Sequence, residues 1–264
     1  MVECPKCGEN FSSEEAMEQH LEDYDHSKDT GETVSLQERV MTSNWAGIAI
    51  ISLLILGGGF FAVNALSGSG TSSAGDTGIS NADDPFLGPS NATVTIAYFG
   101  DYGCPLCNRF EQTSFPQLRK QVIEEGEAKF VKKNFPVVTR DSPRLAQASQ
   151  AVWNQVKDSN PEKFWEWHAH IYDNQGRERS GWATKQRILE LTGQIDGINV
   201  DKIRQALNQN KYSSEVREDL QEGRNSGVRG TPTFIIYNTE TGESKKLVGP
   251  QPVSRFKSVI NQVK

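Results

Sequence analysis

A Cys-x-x-Cys pair set between a strand pattern and a helix pattern constrains this chain more than any other feature. Cys104-Pro105-Leu106-Cys107 follows the β-branched run Thr93-Val94-Thr95-Ile96-Ala97-Tyr98-Phe99. It precedes a helical pattern that includes Phe110, Phe115, Leu118, Val122 and Ile123. A thiol at such a turn faces the first turn of the helix, where unpaired N–H groups and the helix dipole favour thiolate over thiol. The second cysteine lies one turn along, close enough to close a reducible disulfide. Far downstream, Gly230-Thr231-Pro232-Thr233 opens another strand pattern, Phe234-Ile235-Ile236-Tyr237.

Between these two stretches the chain reads as one further strand, Ala128 to Phe135, and then helices from Pro143 to about Asn225. Leu145 to Val152 and Trp153 carry the first helical pattern. Pro161 opens the next, before Phe164, Trp165 and Trp167. After Tyr237, the turn Asn238-Thr239-Glu240-Thr241-Gly242 leads into Lys246-Leu247-Val248, which predicts a hairpin. Pro252 to Val263 closes with a helix. His168 and His170, two apart, face different directions, a poor metal geometry, and read as residues of a packed or partly exposed helix.

Three ordered stretches carry a resemblance: Tyr98 to Cys107, Phe164-Trp165-Glu166-Trp167-His168, and Gly227 to Phe234. Over about its last 180 residues the chain resembles the DsbA-like branch of the thioredoxin-fold oxidoreductases. The resemblance implies an α/β thioredoxin-like fold with a helical insertion at about 138–226. It implies a redox-active disulfide with no organic cofactor, Cys104 as nucleophile and Cys107 as resolving thiol. It places Pro105, Leu106, Thr231 and Pro232 against substrate, with Pro232 in the cis form and the Thr231 backbone pairing with a substrate strand. Two positions depart from the family pattern. Leu106 stands where a polar or basic residue is common. Tyr98 stands where many thioredoxin-like proteins bury a carboxylate, so the proton acceptor for Cys107 is unassigned; Asp101 is the alternative, but it reads as a loop residue.

The first 44 residues differ in character. The net charge of −6 is concentrated there, with 11 acidic against 3 basic residues, which leaves the remainder at +2. No basic stripe suggests nucleic acid. Cys4, Cys7, His20 and His26 follow the spacing of a two-cysteine, two-histidine zinc finger, with Phe11 and Met17 as its apolar core. Glu14, Glu15, Glu18, Glu22 and Asp23 on its helix would repel a duplex, so the expected finger is structural or binds protein. Trp45 to Leu66 is a run of 22 uncharged residues, about 33 Å as a helix, enough for one membrane span. Lys28 and Arg39 precede it and no Lys or Arg follows it closely, which favours a cytoplasmic N-terminus. Reduced zinc thiolates inside and an oxidising dithiol outside agree with that orientation.

The expected organisation is therefore a zinc finger-like module at 1–28, a juxtamembrane segment at 29–44, a transmembrane helix at 45–66, a linker at 67–84 and a DsbA-like domain at 85–264. The expected function is a membrane-anchored oxidoreductase that forms or reshuffles disulfides in secreted or surface proteins. Its expected partners are protein thiols, a membrane redox partner that regenerates the disulfide, and a cytosolic protein bound by the finger. The alternatives are a reductase fed by a membrane electron donor, and a non-enzymatic membrane adaptor.

Overall fold

The computed structural model describes residues 2–3, 10–11, 14, 78–80 and 83–264. The chain divides into two compact units, Met1–Ser67 and Gly68–Lys264. In the first, β1 (Val2–Glu3) and β2 (Asn10–Phe11) pair antiparallel, Val2 opposite Phe11.

The second unit is built on a five-stranded sheet. In chain order its strands are β3 (Phe86–Leu87), β4 (Val94–Gly100), β5 (Lys129–Asn134), β6 (Thr233–Asn238) and β7 (Ser244–Val248). Their spatial order is β3-β5-β4-β6-β7. β4 and β5 run parallel, Tyr98 opposite Lys132, and the other neighbours are antiparallel. All seven residues of β4 are buried, as a continuous apolar run in a strand covered on both faces must be. Alternation divides them: Val94, Ile96 and Tyr98 enter the larger core, Ala97 and Phe99 the smaller.

Helices cover both faces. α1 (Pro105–Thr113) starts with proline in its first turn, where the fixed φ suits a helix and the missing N–H costs nothing. α2 (Phe115–Leu118) runs on into a wide turn at Arg119–Ile123. The insertion between β5 and β6 comprises α3 (Ser142–Val156), α4 (Glu162–Asp173), α5 (Lys185–Thr192), α6 (Val200–Asn208) and α7 (Ser213–Asn225). Thr184 caps α5 by accepting from the Arg187 amide, and Asn199 caps α6 by accepting from Lys202. The Trp167 indole donates to Thr192 at 3.0 Å, tying α4 to α5. α8 (Val253–Val263) closes the larger core with Phe256, Val259 and Ile260. The thioredoxin-like sheet with a helical insertion, expected from the resemblance, is present.

Two expectations are corrected. Among the described residues, no group of three or more His, Cys, Asp or Glu is placed to hold a metal ion. A zinc site needs several such ligands converging on one point. The zinc assigned to Cys4, Cys7, His20 and His26 is not carried forward, nor is the cytosolic partner of the finger; those four residues lie outside the described residues. No helix among the described residues is long and apolar enough to cross a membrane. The longest of them, α3, has 15 residues, about 22 Å against the roughly 30 Å of a bilayer core. The span at 45–66 and the juxtamembrane segment at 29–44 also lie outside the described residues. The membrane anchor, the cytoplasmic N-terminus, the membrane redox partner and the membrane-adaptor alternative are withdrawn.

Candidate active site

The Cys-x-x-Cys stretch lies where β4 meets α1. Cys104 is the N-cap of α1, and its amide donates to the Asp101 carbonyl at 3.0 Å. Pro105 and Leu106 are exposed, Leu106 by 47%. Cys104 is 4% exposed and Cys107 fully buried, both as free thiols. The Thr231–Pro232 peptide is cis, and the Cys104 thiol donates to the Thr231 carbonyl at 3.4 Å. The Gly249 amide donates to the Pro232 carbonyl at 2.8 Å, so the end of β7 holds this loop in place. Cys104, Pro105, Leu106, Cys107, Thr231 and Pro232 are thus brought to one place from two distant parts of the chain.

The loop after β4 is braced from three sides. The Asp101 carboxylate accepts from the Gly103 amide through one oxygen, and from the Val137 and Val138 amides through the other, all at 2.8 Å. Gly103 lets the loop approach α3: a Cβ there would stand 2.6 Å from Thr139 Oγ1 and 2.8 Å from Ser142 Oγ. At the end of α4, Gln175 donates to the Tyr102 carbonyl at 2.7 Å and to the Cys104 carbonyl at 3.2 Å. Asp101 lies in the loop, as the sequence reading favoured, and its carboxylate does not serve as proton acceptor for Cys107. Three amides occupy that carboxylate, and it is the Asp101 backbone N–H that faces the Cys107 sulfur, at 3.5 Å.

The two sulfurs have opposite electrostatics. Cys104 is lowered from 9.0 to about 6, chiefly because the Cys107 thiol donates to it. Burial works against this, while Thr231 and the amides of Cys107 and Leu106 add to it. Burial pushes Cys107 well above the ordinary thiol range, and donation to Cys104 pushes it further. Alkylation of the reduced protein, mapped at Cys104 by mass spectrometry, is expected to reach half its limiting rate near pH 6. A midpoint near pH 9 would contradict this environment.

Several residues at the site were given no role there from the sequence; His168 was read only as part of a packed helix, and it is buried. Lys132 is fully buried beneath Tyr98 and Tyr102, with Nζ 5.4 and 5.0 Å from the ring centres. The Tyr102 hydroxyl lies 2.8 Å from His168 Nδ1 and 3.1 Å from Ser149 Oγ. His168 Nε2 faces Glu111 Oε1 across 3.2 Å, both side chains being buried. His168 therefore belongs to a polar chain that reaches α1. No local signal marked Lys132: it stands in the polar run Lys132-Lys133-Asn134, where lysine is ordinarily solvated, and its burial follows from what covers β5.

A dithiol at a helix N-terminus, its outer sulfur against a cis-proline loop, is the working part of a thiol–disulfide oxidoreductase, and this protein is a DsbA-like member of that class. The chain belongs to the thioredoxin family, whose pattern residues 80–261 match. It is similar to disulfide bond formation protein D of Bacillus subtilis, 29% identical over 152 residues that cover 58% of this chain and 67% of the relative. Among solved structures, oxidised BdbD from Bacillus subtilis superposes with a TM-score of 0.60 at 27% identity, covering 69% of this chain and 94% of that one. DsbA of Chlamydia trachomatis gives a TM-score of 0.59 at 22% identity, covering 70% and 93%, a likeness of fold.

Proposed function

We propose that Cys104 and Cys107 are the redox couple, carried by a catalytic domain at residues 85–264, and that the protein oxidises dithiols in client proteins. The observation that supports this most is the asymmetry of the pair, with Cys104 held near pH 6 and Cys107 well above the ordinary thiol range. A stabilised Cys104 thiolate favours the reduced enzyme, which makes its disulfide the better oxidant. Client thiolate attacks Cys104, a mixed disulfide forms, and Cys107 is released. A second client thiolate then attacks the client sulfur of the mixed disulfide and releases Cys104 as thiolate. Pro105 and Leu106 offer an exposed apolar lip beside the reacting sulfur, and Thr231 and Pro232 form the opposite wall. In this reading the Thr231 backbone pairs with an extended client segment.

The test is the reduction potential of the full chain, equilibrated in glutathione buffers and read by trapping the thiols at Cys104 and Cys107. A value close to the roughly −120 mV of a strong oxidant is expected. A value close to the roughly −270 mV of a reductant such as thioredoxin would sink the oxidising direction.

A further inference from the structure

The absence of a carboxylate at Tyr98 leaves open how a buried Cys107 carries negative charge. We propose that Lys132 stabilises the Cys107 thiolate through a single peptide unit, binding the Gly100 carbonyl while the amide of that same peptide, on Asp101, is donated to the Cys107 sulfur. Lys132 Nζ donates to Gly100 O at 3.3 Å, and Asp101 N donates to Cys107 Sγ at 3.5 Å. A cation on the carbonyl end of a peptide withdraws electron density from its N–H, and in a buried site that polarisation is felt strongly.

The remaining contacts of Lys132 fit an ammonium with nowhere else to act. It donates to Lys133 O at 2.9 Å and Asn134 Oδ1 at 3.4 Å, so its three hydrogens meet three oxygens. Tyr98 and Tyr102 offer ring faces. The charged and titratable groups around it come from every neighbouring element: Cys107 and Glu111 from α1, Asp101 from the loop, and Asp219 from α7. Among the described residues none of these carboxylates makes an ion pair with it. Asp101 is taken by three amides, Glu111 faces His168, and Asp219 binds Lys133 and Asn134. Burial brings Lys132 down to about 8, and the charges of Asp219 and Cys107 oppose that fall.

The inference rests on the reading of Cys107 as the resolving thiol. When client thiolate attacks Cys104 Sγ, the client–Cys104 bond forms, the Cys104–Cys107 bond breaks, and the electron pair leaves on Cys107 Sγ. Lys132 makes that sulfur the better leaving group without touching it, and so acts as a positioning residue.

The test compares full-length Cys104→Ser with Cys104→Ser/Lys132→Met, following the pH dependence of alkylation mapped at Cys107. At pH 7, where Lys132 carries its charge, the rate of Cys107 labelling is expected to fall about tenfold in the double variant, the loss that a one-unit weaker thiolate gives. An unchanged labelling rate at pH 7 overturns the proposal. Should the double variant not fold, NMR on the unsubstituted chain decides. The Asp101 amide shift is expected to follow the Lys132 side-chain titration, and the Lys132 midpoint to differ between dithiol and disulfide forms. An Asp101 amide indifferent to Lys132, or identical midpoints, also overturns it. If instead Cys104→Ser keeps its turnover, the redox-pair reading itself has failed. Inactive serine variants with an unchanged Cys107 labelling rate at pH 7 refute the Lys132 relay alone.

Discussion

Replacing Cys104 by serine is expected to lower dithiol oxidation by at least about a thousandfold, because the sulfur that accepts the client bond is gone. Cys107→Ser is expected to remove turnover as well, by a different route. Its Cys104 still exchanges with client disulfides, but no second sulfur is present to resolve the product. Mixed disulfides should therefore accumulate on non-reducing gels in Cys107→Ser and be absent in Cys104→Ser. The order follows from the geometry: Cys104 caps α1 against the Thr231 carbonyl, while Cys107 sits fully buried behind it. Mixed disulfides mapped to Cys107 in the Cys104→Ser variant would reverse the two roles.

The largest stability effect is expected away from the thiols. The Lys133 ammonium lies 2.6 Å from Asp84, 3.0 Å from Glu222 and 3.3 Å from Asp219, and its side chain is 3% exposed. Lys133→Met keeps most of the length of the side chain and leaves three carboxylates facing one another without the Lys133 cation. Breaking such a buried group is expected to cost about 3–5 kcal/mol by chemical denaturation. The pH dependence has a definite sign. Burial, then Asp219, raises Asp84 from 3.8 to about 7, with Lys133 pulling the other way. Burial also raises Glu222. A carboxyl raised on folding contributes stability that is fully present below its unfolded value, near pH 4, and is lost as pH rises through the folded value near 7. Without Lys133 the deficit should be largest above pH 7 and shrink toward pH 4 to 5 as the carboxylates protonate. A deficit that grows in acid, or one below about 1 kcal/mol at pH 8, would show that Lys133 does not hold this cluster together.

The physical link between these two effects is β5. Its sequence, Lys129-Phe130-Val131-Lys132-Lys133-Asn134, sends Lys132 to the sulfur side of the sheet and Lys133 to the side covered by α7. One strand therefore carries both a charge that polarises the redox turn and a charge that ties the segment before β3 to α7 through Asp84.

Much of the frame was legible in the chain. The β-branched run that became β4, the proline that opens α1 and the Thr-Pro step before β6 are local signals, set by side-chain shape and backbone restriction. The observed strands Val94–Gly100, Lys129–Asn134 and Thr233–Asn238 lie within a residue of the runs that predicted them. β3 was not foreseen, because two residues carry no period and Phe86-Leu87 becomes a strand only by pairing with Val131 and Phe130. Nor could the cysteine spacing alone say which groups flank the pair. Glu111 and His168 belong to patterns that read as ordinary helix, and their burial follows from the packing of α4 on α1.

The sequence by itself determined the redox chemistry, because two thiols at a helix start and a Thr-Pro before a strand are local features that need no distant partner to be recognised. Only the tertiary structure decided how that chemistry is tuned. Lysine is ordinarily a surface residue, and whether Lys132 and Lys133 are solvated or buried depends on what covers β5. That cover is supplied by α1, α7 and the segment at Asp84, up to about 90 residues away in the chain, and burial is what turns two ordinary lysines into the charges this site is built around.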